Sequence, residues 1–155
     1  MLVISDTSPL TALLLSRREE LLRFVFGRVV IPPAVQSELL KAHRSLPLWL
    51  EVLKPAQIPQ EILDAGLDAG ETEAIALALE LKPDALLMDE RLGRKLAQEH
   101  HLRVTGLLGF FVLAKRKGFV TEVAPLIREA QKLGNCWFGE HLIQAVCGSV
   151  GETWP

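Results

Sequence analysis

Five short runs rich in aliphatic residues, at positions 2–5, 28–31, 49–53, 84–88 and 102–104, are each separated from the next by at least one stretch of helical character. The intervening helices are expected near 9–16, 19–26, 32–42, 59–65, 68–81 and 91–100, with three more at 107–117, 123–132 and 140–147. Connections that contain whole helices suit parallel strands, because a parallel neighbour can be reached only by a crossover of a dozen or more residues. The spacing therefore predicts an α/β chain: a three-layer α/β/α domain whose central, mostly parallel sheet is covered on both faces, with 49–53 as an edge strand. Ser8-Pro9 and Pro32-Pro33 read as helix starts, with Ser8 as a capping hydroxyl, and Gly66, Gly118 and Gly134 as breaks.

With 155 residues, 49% of them apolar, the chain suits one domain, expected over 1–148, with 149–155 as a loose tail. Seventeen basic against nineteen acidic side chains neither favour nor exclude a nucleic-acid partner. Met1-Leu2-Val3-Ile4-Ser5-Asp6 lacks the basic start and long apolar core of a secretory signal, and the apolar stretch 106–114 is far short of the ~20 residues that span a bilayer. A cytoplasmic protein with no membrane contact is expected. Cys136 and Cys147 lack the close spacing of a zinc or redox pair, which fits reduced thiols. His100-His101 are adjacent and cannot form a ligand pair one helical turn apart.

Four acids stand where strands end or apolar helix faces begin: Asp6, Glu38, Glu71 and Asp89. Asp6 closes one apolar run and Asp89 another, so in a parallel sheet both project from carboxyl-terminal strand ends, where open α/β sheets bind ligands. With Ser8 as the helix cap, Asp6 is left free for a site; the plain alternative is that Asp6 itself caps. Glu38 lies on the margin of a buried stripe containing Val35, either as a surface acid or as an inward ligand. Glu71 and Glu73 point roughly 200° apart on one helix, so only one faces a site comfortably. Glu71 shares its face with Ala74, Ile75 and Ala78, although Asp68 three residues earlier also gives it the look of a capping box. Asp89 precedes the basic helix start of Arg91, Arg94 and Lys95, cations suited to positioning phosphate.

Ile4-Ser5-Asp6-Thr7-Ser8, the Glu38 helix, Leu67-Asp68-Ala69-Gly70-Glu71-Thr72-Glu73-Ala74-Ile75-Ala76 and Leu87-Met88-Asp89-Glu90-Arg91 together resemble the PIN-domain nuclease family, most closely the branch related to VapC-type toxins. The closing Gly151-Glu152 belongs to the same resemblance. It implies that Asp6, Glu38, Glu71 and Asp89 are the catalytic and metal-binding acids, with Thr7 or Ser8 ordering a water and Glu73 accessory. Two departures stand out. Glu71 replaces the commoner Asp, lengthening the ligand arm, and Met88 stands where Thr or Ser often precedes the fourth acid.

Hard oxygen donors without paired Cys or spaced His favour Mg²⁺ or Mn²⁺ over zinc. The resemblance implies hydrolysis of single-stranded RNA to 5′-phosphate ends, a homodimer, and an antitoxin whose basic segment enters the acidic groove. Arg91, Arg94 and Lys95 are the candidate RNA contacts, whereas Lys115-Arg116-Lys117 reads as charge complementing a helix end. Trp137-Phe138 and Trp154 are candidate contact or packing residues. The apolar circumference of 107–113 fits either deep burial or a subunit contact. A PIN-like module that binds RNA or protein without cutting is the rival reading. A phosphoacceptor receiver domain lacks its adjacent acid pair and late lysine here.

Overall fold

The computed structural model describes residues 1–155, and its centre is a sheet of five parallel strands in the order β3-β2-β1-β4-β5. These strands are β1 (Leu2–Ser5), β2 (Arg28–Ile31), β3 (Leu50–Val52), β4 (Ala85–Leu87) and β5 (Val104–Thr105). Nine helices connect and cover them: α1 (Thr7–Leu15), α2 (Glu20–Phe26), α3 (Pro33–Ala42), α4 (Gln60–Leu63), α5 (Ala69–Leu81), α6 (Arg91–Glu99), α7 (Leu107–Arg116), α8 (Ala124–Leu133) and α9 (Glu140–Ser149). The chain is thus a single three-layer α/β/α domain, and the sheet is entirely rather than mostly parallel.

Alternation along the strands builds two cores. Val3, Val29, Ile31, Ala85 and Leu87 face the larger one, shared with α1, α2, α7, α8 and α9, while Ile4, Val30, Leu86 and Met88 face the smaller one under α4, α5 and α6. Because side chains alternate with period two, continuous aliphatic runs fill both layers at once. The apolar circumference of α7 is accounted for by burial: Leu107, Leu108, Phe110, Phe111 and Ala114 all lie in the larger core.

Several boundaries differ from expectation for local reasons. The first helix begins at Thr7, immediately after the extended Asp6, so Ser8 lies exposed inside the first turn and is not the cap. Pro9 is tolerated there because the first turn's amides have no partner within the helix. The last strand starts two residues later than the apolar pattern suggests, because Leu102 N–H still donates to Ala97 O at the end of α6.

The terminal segment is tied down at Glu152, in contrast to the loose tail expected. Its carboxylate accepts from Val123 N–H and Ala124 N–H at the start of α8 and from Lys115 Nζ at 2.7 Å. Lys115 also donates to Val150 O, which gives this lysine a structural partner. Burial pushes the Glu152 carboxyl up, but the Ala124 amide, Lys115 and the Val123 amide together hold it below the ordinary glutamate value. Glu152→Ala is expected to destabilise the domain by about 1–2 kcal/mol, the usual effect of losing a helix cap. For a chain of this size that lowers Tm by roughly 2–8 °C, read by a thermal melt. Since the native pKa is depressed, this contribution is present above the ordinary value and is lost as pH falls through the native one.

Candidate active site

Strand order places the site. From β1 the chain steps to β2 and β3 on one side, then returns to lay β4 on the other side of β1. The carboxyl ends of β1 and β4 therefore flank a topological switch point, where open α/β sheets form a crevice. Asp6 follows the last residue of β1 and its N–H donates to Leu87 O in β4, while Asp89 lies just beyond β4.

Asp6 is 4% exposed and occupies the cap position of α1, yet its side chain makes no capping bond across the first turn. Burial raises its pKa to about 7, opposed by the Thr7 amide and reinforced by the negative charges of Asp68, Glu38 and Asp89. Glu71 is also buried, and burial followed by its carboxyl contact with Asp68 pushes it up to about 8, with Asp6 and Glu90 adding to the effect. Asp89 is exposed to solvent. Desolvation nevertheless raises its carboxyl, against the lowering influence of Leu107 N–H and Arg94. The Leu107 amide at the start of α7 donates to both Asp89 oxygens, at 3.2 and 3.3 Å, so the positive end of that helix holds the carboxylate.

Glu38 comes to the same place through the packing of α3 against α5. A Cβ added at Gly70 would lie 3.2 Å from Glu38 Oε1 and 3.3 Å from Thr7 Oγ1, so Gly70 lets the Glu38 and Thr7 side chains meet the start of α5. Thr7 Oγ1 is buried without a hydrogen-bond partner, whereas Ser8 points to solvent. Of the two hydroxyls weighed from the sequence, Thr7 faces the acids.

Glu73 turns elsewhere. Its Oε1 accepts from Ala34 N–H at 3.1 Å, holding the first turn of α3. Asp68, read from the sequence only as a cap, fills that role by accepting from Glu71 N–H at 2.8 Å, but its charge also reaches both Asp6 and Glu71. The signal was its place beside Glu71; its approach to Asp6 depends on how α5 crosses β1.

These residues suit a hard divalent cation chemically. Carboxylates are the donors, their crowding makes full ionisation costly, and the unpartnered Thr7 hydroxyl supplies another oxygen. No three of the acids converge closely enough to form a ready-made cage. Met88, at the position often held by a hydroxyl, is buried in the smaller core, its sulphur 2.7 Å from where a Cβ on Gly93 would be. It therefore fills space that Gly93 leaves open.

On the outer side of Asp89, Arg91, Arg94, Lys95 and Gln98 line a polar groove of about 440 Å³. Arg94 Nη1 donates to Met88 O at 3.0 Å, which orients its guanidinium beside Asp89. A Cβ at Gly106 would lie 2.5 Å from Asp89 Oδ1 and 2.8 Å from Arg94 Nη1. Gly106→Ala must therefore displace both groups. If the site is catalytic, turnover should fall about 100-fold, the scale of a 1 Å misplacement, with the melting curve showing a retained fold.

A fully parallel sheet with acids gathered at its switch point makes this an α/β domain with an acidic crevice. The chain matches the model of the DUF3368 family, described as a PIN domain, over residues 2–152, and it belongs to that family. PIN domains are generally metal-dependent nucleases. Among solved structures, a PilT N-terminus domain protein from the hyperthermophilic archaeon Sulfolobus solfataricus is similar, with 17% sequence identity and a TM-score of 0.50. The match covers 74% of this chain and 93% of that one, and it supports the fold. No curated protein matches the chain. No helix is long and apolar enough to cross a membrane.

Proposed function

We propose that this protein is a metal-dependent endoribonuclease that hydrolyses phosphodiester bonds in single-stranded RNA. The observation that carries the reading is the shared field of Asp6, Glu38, Asp68 and Asp89 at the switch point, next to a groove lined by Arg91, Arg94 and Lys95. Asp6, Glu38, Glu71 and Asp89 would hold Mg²⁺ or Mn²⁺, with Asp68 as a fifth acid. When bound, the cation supplies activation of water and neutralisation of phosphate charge.

The chain's own groups do the rest. Arg91, Arg94 and Lys95 draw the strand in by its phosphates, an attraction that weakens with salt. Asp89, restrained by the Leu107 amide, accepts the proton of the attacking water, and Arg94 beside it faces the phosphate charge. Water oxygen bonds to phosphorus as the bond to the 3′-oxygen breaks, and that oxygen takes a proton from solvent, leaving a 5′-phosphate and a 3′-hydroxyl. In the cell we assign the protein to the cytoplasm, as a homodimer and as the toxin of a toxin–antitoxin pair.

A second reading has its own support. Met88 is buried in the smaller core, so no hydroxyl stands immediately before the fourth acid, which fits a module that binds RNA or protein without cutting. Incubating purified protein with end-labelled single-stranded RNA in Mn²⁺ or Mg²⁺, beside EDTA and Asp89→Asn controls, tests the two. Cation-dependent cutting that the variant loses supports the nuclease. RNA binding without cutting across varied sequences supports the module instead.

A further inference from the structure

We infer that the apolar recess on the inner side of Asp89 is a nucleobase subsite, with the Trp137 indole as its stacking surface. The recess has a volume of about 460 Å³, within the ~300–1,000 Å³ common for small-molecule sites. Its walls come from the segment before α9 (Trp137, Phe138), from α9 (Leu142, Val146) and from α7 (Leu108).

Trp137 stands apart from the other tryptophans. Trp49 donates its indole N–H to Glu20 and lies against Arg23, and Trp154 lies against Arg128. Trp137 is 83% exposed, with no aromatic or cationic partner and no hydrogen bond from its indole. Leu142 beside it is 53% exposed. A large aromatic and an exposed leucine left open together at the rim of a recess that Asp89 also lines mark a contact surface.

The occupant follows from what borders the recess. Asp89 and Arg94 line both this recess and the basic groove of Arg91, Lys95 and Gln98. One side of the pair is cationic and suited to phosphate; the other carries Trp137, Phe138, Leu108, Leu142 and Val146, side chains suited to the π-face of a base. A nucleotide carries those two features on adjoining groups. Indole stacking accepts any base, so the subsite supplies affinity and register with little sequence selection.

The inference deepens the proposed function and rests on it for the position of the scissile phosphate; binding and cleavage are therefore measured separately. Binding is read by fluorescence anisotropy in Mg²⁺ using Asp6→Asn protein, with and without Trp137→Ala or Trp137→Phe. The probes are short single-stranded RNAs, intact or abasic at one position at a time. Cleavage is read with the same Trp137 substitutions in the otherwise native chain. Trp137→Ala should weaken binding about tenfold, within the range measured for base–aromatic stacking. Trp137→Phe should retain most of the affinity, and the alanine effect should vanish on the strand abasic at one particular position.

Equal binding by Trp137→Ala and its parent overturns the subsite, as does a loss that is the same on every abasic strand. It also falls if the protein binds no RNA, or if Trp137→Ala changes only the oligomeric state in sedimentation. Position-specific dependence on Trp137 without any cutting by the native chain would sustain the subsite and defeat the nuclease reading. Cutting unaffected by Trp137→Ala, with equal binding, would do the reverse.

Discussion

Asp6→Asn will reduce RNA cleavage by more than about 100-fold while raising the melting temperature of the cation-free protein. The two effects have one origin. Asp6 lies 4% exposed among the charges of Asp68, Glu38 and Asp89, with burial as the first cause of its raised pKa. Asparagine keeps the shape and removes a buried charge from like neighbours, relieving repulsion that the fold otherwise carries. If Asp6 binds the cation, the same change removes a ligand. Losing even an outer-shell partner of a metal ligand costs about 10–100-fold, so a direct ligand should exceed that range. A residue needed only for folding would lose activity and stability together. Opposite movement of the two, read by initial rates and calorimetry on one preparation, separates a functional acid from a structural one. A variant that cuts as well as the native chain would remove Asp6 from the mechanism.

Without a divalent cation, the protein should lose stability as pH rises from about 5 to 8, and Mn²⁺ should restore it most at the upper end. Asp6 has a native pKa of about 7 and Glu71 of about 8, both above their ordinary values. Between the ordinary and native values the folded chain binds more protons than the unfolded one. Their contribution is therefore fully present below the ordinary carboxylate range and lost as pH passes through the native pKa. Each pKa step is worth about 1.4 kcal/mol, so Asp6 alone sets an upper scale of roughly 4 kcal/mol. At ~2–4 °C per kcal/mol in a domain of this size, a fall of about 5–15 °C is expected.

Glu152 and Glu129 have depressed values and act the other way, but their contribution is lost only at lower pH, outside this window. A cation competes with protons for the site acids, so its stabilisation should grow with pH and shrink in Asp6→Asn. Melting curves at pH 5.5 and 8, with EDTA or Mn²⁺, supply the comparison. A pH-independent Tm, or equal stabilisation by Mn²⁺ at both values, would argue against an acidic cation site.

Much of this architecture is legible along the chain because it depends on near neighbours. Val3 and Ile4 face opposite layers whatever lies beyond them, since a strand turns successive side chains to opposite faces. The separation of Glu71 from Glu73 follows likewise from helical geometry: Glu71 faces Asp68 and Asp6, while Glu73 reaches Ala34 on α3. The start of α1 was less legible. The Ser8-Pro9 signal was local, but the extended Asp6, held to β4, lets the helix begin at once.

What the sequence by itself determined is the succession of elements, the placing of Asp6, Glu71 and Asp89 at or near their ends and that of Glu38 on the margin of a buried helical stripe, because period-two and period-3.6 patterns are written within a few residues. Only the tertiary structure decided that β4 lies beside β1, bringing Asp89 toward Asp6, and that Asp68 joins the acids. It also decided that Glu152 holds α8 and that Trp137 opens beside Asp89. Each depends on groups far apart in sequence, brought together by strand pairing and helix packing, and local periodicity carries no record of such meetings.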